Sequence, residues 1–459
     1  TLVFHITAED AFNTEFLSYN SKEKCLYMLD NRGSDTTQLK KISESKETVL
    51  AHHPESDIAD VLFKDGIPVA YATNTTQKQW HPLTDSTAED LTFLAARLGP
   101  NFEVYNQSND TVLWIVKNSI PEKGKDIWLY NRAAKSVSLL FSTPNISNLS
   151  KMYPIVIQSR DGLELVSYLT LPQDQDNAGR AKKPLPLVVI PHGGPFKARD
   201  TFSYSPYHQW LSNRGYAVLS VNFRLSSGFG KAFVNAGNKQ WGKKAHEDIL
   251  DAVQWCIDQS IADKNKIAIF GGSYGGFEAL SAITYSPDVF ACAVDICGPS
   301  NLRTVLQKCP FYWELSSAPL SDQVHSFTRN AFITSIGGDP ESEADRAFLE
   351  NASPINHIDN ICKPLLLIHG KNDPIVVAAE SDQIFEKMEA KKLPAIYLSF
   401  ANEGHGLLNF SNNMSALAYS EWLLSKVLGG TYEPLDKETL DRAQVTCRAS
   451  QMNPSEALK

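Results

Sequence analysis

The 459-residue sequence has no apolar run approaching the ~18 residues that cross a bilayer; its longest candidates, such as Leu187-Val-Val-Ile190, are strand-sized. No membrane-spanning role is expected. Positive charge is also scarce: 43 Lys and Arg against 52 Asp and Glu leave a net charge of −9. That sign is opposite to the footprint a phosphate backbone requires, so no nucleic-acid partner is expected. Cysteine is sparse, and none of Cys25, Cys256, Cys292, Cys297, Cys309, Cys362 and Cys447 forms a C-x-x-C pair. Buried free thiols of a reducing compartment are expected, which favours the cytoplasm; the sequon Asn145-Ile-Ser147 is too common a pattern to weigh against this. The chain contains no H-E-x-x-H or comparable ligand spacing, the His52-His53 pair reads as solvated loop, and neither a metal nor an organic cofactor is expected. It begins at Thr1 without Met, basic n-region or cleavage pattern. The expectation is an internal starting point in a longer chain, from which a signal sequence could be missing.

Two halves differ in period. Residues 1–150 carry short apolar or alternating runs broken by polar turns: Cys25–Leu29, Val69–Ala72, Thr111–Val116 and Asp126–Tyr130. Leu26-Tyr-Met-Leu-Asp-Asn-Arg32, leading to Leu39, resembles Trp128-Leu-Tyr-Asn-Arg132, leading to Leu139. An offset of about 100 residues suggests two periods of roughly 50, the spacing of propeller blades. This half therefore reads as a partial β-propeller of about three blades, fewer than the roughly four to eight that close one. An incomplete propeller leaves an unpaired strand edge, which makes a homo-oligomer possible. Thr87–Arg97 reads as a helix with Thr87 and Asp90 in capping-box positions.

From 151 to 430 a hairpin, Ile155 to Leu171 turning at Asp161-Gly162, precedes near-continuous apolar runs at Leu187–Ile190, Ala217–Phe223, Ile267–Phe270, Ala291–Ile296, Leu365–Ile368 and Ala395–Phe400. Such runs are expected where both sheet faces are covered. Amphipathic helices such as His246–Cys256 and Glu380–Met388 alternate with them. The pattern predicts an α/β domain with a mostly parallel sheet and helices on both faces. Residues 431–459 read as a polar tail.

Chemistry in such a sheet sits at the carboxyl ends of the strands. Just past Ile267–Phe270 comes Gly271-Gly-Ser-Tyr-Gly275, the G-x-S-x-G elbow that exposes a strained serine hydroxyl at a strand-to-helix turn. A serine needs a base, and the base needs an orienting acid. Asp373 follows the Leu365–Ile368 strand and His405 follows Ala395–Phe400, which gives the α/β-hydrolase order Ser, Asp, His. Ser273, Asp373 and His405 are therefore the expected catalytic set. Asp295, inside a run continuing to Cys297, is expected to be structural; Glu403 is expected to cap a helix or face solvent, and His369 to pack or hydrogen-bond. Pro191-His-Gly-Gly-Pro195 is an H-G-G loop whose backbone amides line an oxyanion hole. Those donors are assigned to Gly194 and Tyr274, with Gly193 as the alternative to Gly194.

At these residues the chain resembles the prolyl oligopeptidase family of serine peptidases, nearest its acylaminoacyl-peptidase-like branch. The resemblance rests on Pro191–Pro195, Asn222-Phe-Arg-Leu-Ser-Ser-Gly-Phe-Gly230, Gly271–Gly276, Asn372-Asp-Pro374 with Val376, and Glu403-Gly-His-Gly406. It implies an α/β-hydrolase fold joined to a β-propeller that restricts access, and an acyl-enzyme route for short peptides, with N-acylated amino acids among the implied products. It also implies Val376 as a wall of the pocket before the scissile bond; Tyr312 and Trp313 of Phe311-Tyr-Trp313 supply other walls or belong to the core. The family's Arg-Gly-Ser appears here as Arg224-Leu225-Ser226, no paired-glutamate signature for a free amino terminus is evident, and the tail has no placed counterpart. A carboxylesterase on the same three residues and an inactive binding protein are the competing readings.

Overall fold

The structure, a computed structural model, describes residues 6–7, 9–10, 13–44, 46–143, 146–308 and 333–458. Its first half is three antiparallel sheets. β1 (Glu15–Asn20), β2 (Cys25–Asp30), β3 (Gln38–Ile42) and β4 (Glu47–His52) form the first; β5 (Ile58–Lys64), β6 (Ile67–Asn74) and β7 (Lys78–Pro82) the second; β8 (Phe102–Gln107), β9 (Leu113–Ile120), β10 (Gly124–Asn131) and β11 (Ser136–Ser142) the third. The sheets begin at Glu15, Ile58 and Phe102, in steps of 43 and 44 residues rather than roughly 50. Both lookalike segments do return as expected, Leu29 facing Leu39 and Trp128 facing Leu139. However, β2 is the second strand of its sheet and β10 the third of its own, so the likeness is one of hairpins and not of blade register.

The helix α1 (Asp85–Leu98) starts earlier than expected, with Thr84 at its N-cap. Thr87 lies in the first turn, where the Thr84 hydroxyl donates to its Oγ1 at 2.9 Å, so there is no capping box at Thr87 and Asp90. Asp90 is 1% exposed and accepts from Tyr130 Oη at 2.7 Å, Arg132 Nε at 2.7 Å and Lys135 Nζ at 2.5 Å. It ties α1 to the third sheet.

The second half is one nine-stranded sheet. β12 (Met152–Gln158) and β13 (Glu164–Thr170) form the expected hairpin; a short pair, β14 (Asp176–Asn177) and β15 (Arg180–Ala181), stands apart. β16 (Leu185–Val189), β17 (Ala217–Val221), β18 (Ala262–Gly272), β19 (Cys292–Ile296), β20 (Leu365–Gly370) and β21 (Ala395–Phe400) are mutually parallel in the order β17-β16-β18-β19-β20-β21. Alternate residues serve opposite faces. Leu187, Val189, Ile267, Ile269, Leu365 and Leu367 join one core with α4 (Lys244–Asp258) and α5 (Tyr274–Tyr285). Val188, Ala268, Phe270, Leu366 and Ile368 join the other with α2 (Pro206–Asn213) and the helix Phe410–Leu428. α3 (Lys231–Asn235) lies against the β half, where Lys231 Nζ meets Asp10 at 2.7 Å. Arg199 joins the halves too, donating to Asn74 O at 2.6 Å and Thr75 O at 2.9 Å.

The residues after 430 are not an appendage. Val445–Ser450 forms β22, antiparallel to β21, and Ala457 is fully buried in the second core. A single strand whose outer side meets solvent alternates weakly, so composition alone hid it. Cys447 is exposed on this edge strand and Cys362 in a loop, whereas Cys25, Cys256, Cys292 and Cys297 are buried free thiols as expected; Cys309 lies outside the described residues. Ending the chain at Gly430 unpairs the outer edge of β21 and is expected to remove stability on the order of several kcal/mol, about six ladder hydrogen bonds at roughly 1 kcal/mol each. Thermal unfolding checks this, and an unchanged midpoint contradicts the assignment of β22 to the sheet.

Candidate active site

Ser273 occupies the turn from β18 into α5 with φ +58° and ψ −120°. Its amide donates to Ile296 O at 2.8 Å and its carbonyl accepts from Phe277 N at 3.0 Å, so the neighbouring strand β19 and the helix α5 fix it. The turn is too tight for side chains. A Cβ on Gly271 would stand 2.1 Å from Gly275 O, and one on Gly275 would stand 2.2 Å from Pro191 O. Glycine is required there by close backbone approach.

The loops after β20 and β21 are pressed together in the same way: a Cβ on Gly370 would stand 2.3 Å from Gly404 O, and Asn372 N donates to Glu403 O at 2.9 Å. His405 and Asp373 thereby come to lie beside Ser273. His405 Nε2 is 3.1 Å from Ser273 Oγ, and His405 Nδ1 is 2.7 Å from Asp373 Oδ2. The carboxylate only accepts, which assigns the proton to Nδ1 and leaves Nε2 to accept from the serine hydroxyl.

Asp373 has no exposed side-chain surface. Burial pushes its carboxyl upward, but hydrogen bonds with His369 and His405, together with the Ile375 amide, outweigh it and hold the group well below the usual carboxylate range. Oδ1 accepts from Ile375 N at 2.8 Å and Val376 N at 2.9 Å. His369 Nε2 stands 3.3 Å from Oδ2 and 2.8 Å from Val376 O, while its Nδ1 meets Ser381 Oγ at 2.7 Å. Val376 is thus 2% exposed behind the carboxylate. It does not line the cavity of about 390 Å³ that opens beside Ser273 and His405, whose walls include Tyr207, Phe270, Leu407 and Leu417. Tyr312 and Trp313 lie outside the described residues.

The Tyr274 amide is the first of α5, where a helix leaves its N–H groups without intrahelical acceptors and with positive potential. The Tyr274 side chain points elsewhere, its hydroxyl donating to Glu278 Oε1 at 2.6 Å. Gly193 lines the Ser273 cavity, and a Cβ there would lie 3.4 Å from Ser273 Cβ; Gly194, at φ +115°, is exposed and precedes the cis bond to Pro195. His192 stacks on Phe223 at 4.5 Å and meets Ser226 Oγ at 2.7 Å; burial pushes its imidazole down to about 4, so it is neutral. Leu225, the departure from the family's glycine, takes φ +90°, a backbone glycine adopts freely; its buried side chain packs beside Gly237.

Glu403 accepts from Leu408 N and Asn409 N, each at 3.0 Å, and from Asn412 Nδ2 at 2.6 Å, so it holds the segment that enters the helix Phe410–Leu428, whose N-cap is Asn409. Asp295 is buried with one amide, Gly298 N at 2.7 Å, on Oδ1. Cys297, overlooked in the sequence because it ends an apolar run, stands with Asp373 and His405; its position at a strand carboxyl end was the available signal.

Residues 202–431 match the Prolyl oligopeptidase family. The chain belongs to that family. It is 41% identical over 443 residues to Dipeptidyl aminopeptidase BIII of Pseudoxanthomonas mexicana, an alignment covering 94% of this chain and 62% of that protein. It is 25% identical over 307 residues to the Acylamino-acid-releasing enzyme of Arabidopsis thaliana, covering 63% and 37%. A puromycin-hydrolyzing peptidase of Mycobacterium tuberculosis superposes with a TM-score of 0.74 at 24% identity, over 92% of this chain and 63% of that one. The chain thus spans about three fifths of the length of the first relative. Together with the sheets described above, the family fixes the fold as an α/β-hydrolase domain preceded by propeller-type β-sheets.

Burial pushes Asp295 up to about 7, with the Gly298 amide and nearby His369 working weakly the other way. A carboxyl raised in this way favours the folded state while protonated, and that contribution is lost as pH rises from about 3.9 toward 7. Asp295→Asn is expected to gain stability relative to wild type between pH 5 and 8. Urea midpoints across that range check it, and a pH-independent difference between the two proteins contradicts it.

Proposed function

We propose that the protein is a serine peptidase that cleaves short peptides through an acyl-enzyme on Ser273, and that it releases dipeptides from unblocked amino termini. The observation that carries the first part is the relay from Ser273 Oγ through His405 to an ionised Asp373, at 3.1 and 2.7 Å. Ser273 Oγ attacks the peptide carbonyl while His405 Nε2 takes its proton. The Tyr274 amide and an amide of the Gly193–Gly194 pair face the developing oxyanion. The imidazolium, stabilised by Asp373, protonates the departing amine; water, activated by the same nitrogen, then releases the acyl group. Apolar cavity walls and a neutral His192 keep competing charge away from the reacting atoms. Membership of the peptidase family and 41% identity to a protein named for dipeptide release support the substrate class. The lower identity to an acylamino-acid-releasing enzyme makes blocked substrates the second choice.

Two measurements test this. Unblocked dipeptidyl anilides are expected to turn over with a higher kcat/KM than acetyl-aminoacyl anilides; the reverse order moves the protein to the acyl-releasing reading. Ester turnover with no anilide cleavage rejects peptidase activity altogether. Asp373→Asn is expected to lower kcat by about 10⁴-fold with KM little changed, because the wrong imidazole tautomer then faces the serine. A loss below tenfold contradicts the assigned role of Asp373.

A further inference from the structure

Cys297 has no part in the peptidase chemistry, yet it stands against two residues that do. Cys297, Asp373 and His405 each present a metal-ligating atom within 4.8 Å of the other two, and no other such group occurs among the described residues. The backbone pins the cysteine in place: its amide donates to Ile368 O at 2.8 Å, and its φ is +47°. The residue is only 4% exposed, but it borders the same cavity as Ser273 and His405, so an ion has a path to it.

We propose that Cys297, Asp373 and His405 form an inhibitory site for a thiophilic divalent cation of the Zn²⁺ or Cd²⁺ class, whose binding takes His405 out of the relay. The proposal rests on the peptidase reading for its consequence, though not for the binding itself. Thiolate, imidazole and carboxylate are the donors zinc takes, at about 2.3, 2.0–2.1 and 2.0–2.2 Å; tetrahedral ligands at those lengths stand about 3.5 Å apart. A separation of at most 4.8 Å therefore closes with side-chain shifts of about 1 Å, leaving the fourth position to water. The sulfur donor selects against Mg²⁺ and Ca²⁺, which take oxygen ligands.

The charges and protons balance. Asp373 enters as the carboxylate that accepts from His405, and the dication displaces the Sγ proton of Cys297 and the Nδ1 proton of His405. Both protons pass to solvent, and two negative ligands neutralise the ion. With a cation on the Asp373 side of the ring, the imidazolium loses the carboxylate that stabilises it, so Nε2 no longer accepts the Ser273 proton. Positions 297, 373 and 405 are far apart in the chain, which is why no motif spacing announced the group.

The test follows dipeptidyl-anilide hydrolysis with ZnCl₂, CdCl₂ or MgCl₂, each protein read against its own metal-free rate, with reversal by EDTA. Zn²⁺ and Cd²⁺ are expected to inhibit wild type while Mg²⁺ does not, and Cys297→Ser is expected to raise the inhibition constants by about tenfold or more. Cys297→Ala, with its fold checked by circular dichroism, gives the same comparison should the serine variant fold poorly. A separate arm needs no turnover: Cd²⁺ added to Ser273→Ala should give a thiolate-to-cadmium absorption band larger than in Ser273→Ala/Cys297→Ser. Equal inhibition of wild type and both Cys297 variants, or equal bands with and without Cys297, overturns the site. A cadmium band without any measurable peptidase activity retains the site and rejects the peptidase reading instead.

Discussion

The catalytic arrangement depends on one steric constraint, the contact of three backbones at the end of β18. Gly271 lies against the Gly275 carbonyl and Gly275 against that of Pro191, so strand, helix and the His-Gly-Gly loop meet with no room for a Cβ. That approach holds Ser273 at positive φ, a conformation costing of order 1–3 kcal/mol that persists only when its surroundings over-determine it. Here they do: the amide is committed to Ile296, the carbonyl to Phe277, and the adjoining Ile267, Ile269, Phe270, Tyr274 and Phe277 are buried. A relaxed turn would swing the hydroxyl away from His405.

Two buried aspartates at neighbouring strand ends show how the fold sets charge. Asp373 receives two amides and His405, with His369 alongside, and stays ionised. Asp295 receives one amide, its second oxygen has no partner among the described groups, and burial keeps it protonated to higher pH. Burial acts on both in the same direction; the number of donors decides the outcome. The acid with many donors orients the histidine, and the acid with few stays silent beneath the elbow.

The meeting of Ser273, Asp373 and His405 was legible because each is local to a strong signal: a glycine-framed serine after an apolar strand, and an aspartate and a histidine each just past another. The parallel strands were legible for a similar reason, since burial on both faces leaves continuous apolar runs. What escaped notice depends on pairing across space. α1 begins after Thr84 although Thr87 fits a capping pattern, and Asp90 is recruited instead by Tyr130, Arg132 and Lys135 near and in the third sheet. β22 is recognisable only by the edge of β21 that it completes. The hairpins near Leu26 and Trp128 look alike yet occupy different strand positions, so sequence likeness misjudged the blade period. The Val376 amide holds Asp373, a contact that no sequence spacing announces. Cys297 showed no pattern at all, since its neighbours at Asp373 and His405 are assembled by the sheet.

The most direct measurement is the site and rate of covalent labelling by a fluorophosphonate, mapped by tandem mass spectrometry. A single adduct is expected, on the peptide carrying Ser273, forming far more slowly in His405→Ala and not at all in Ser273→Ala. An adduct on a different serine, or a rate that His405→Ala leaves unchanged, would contradict it.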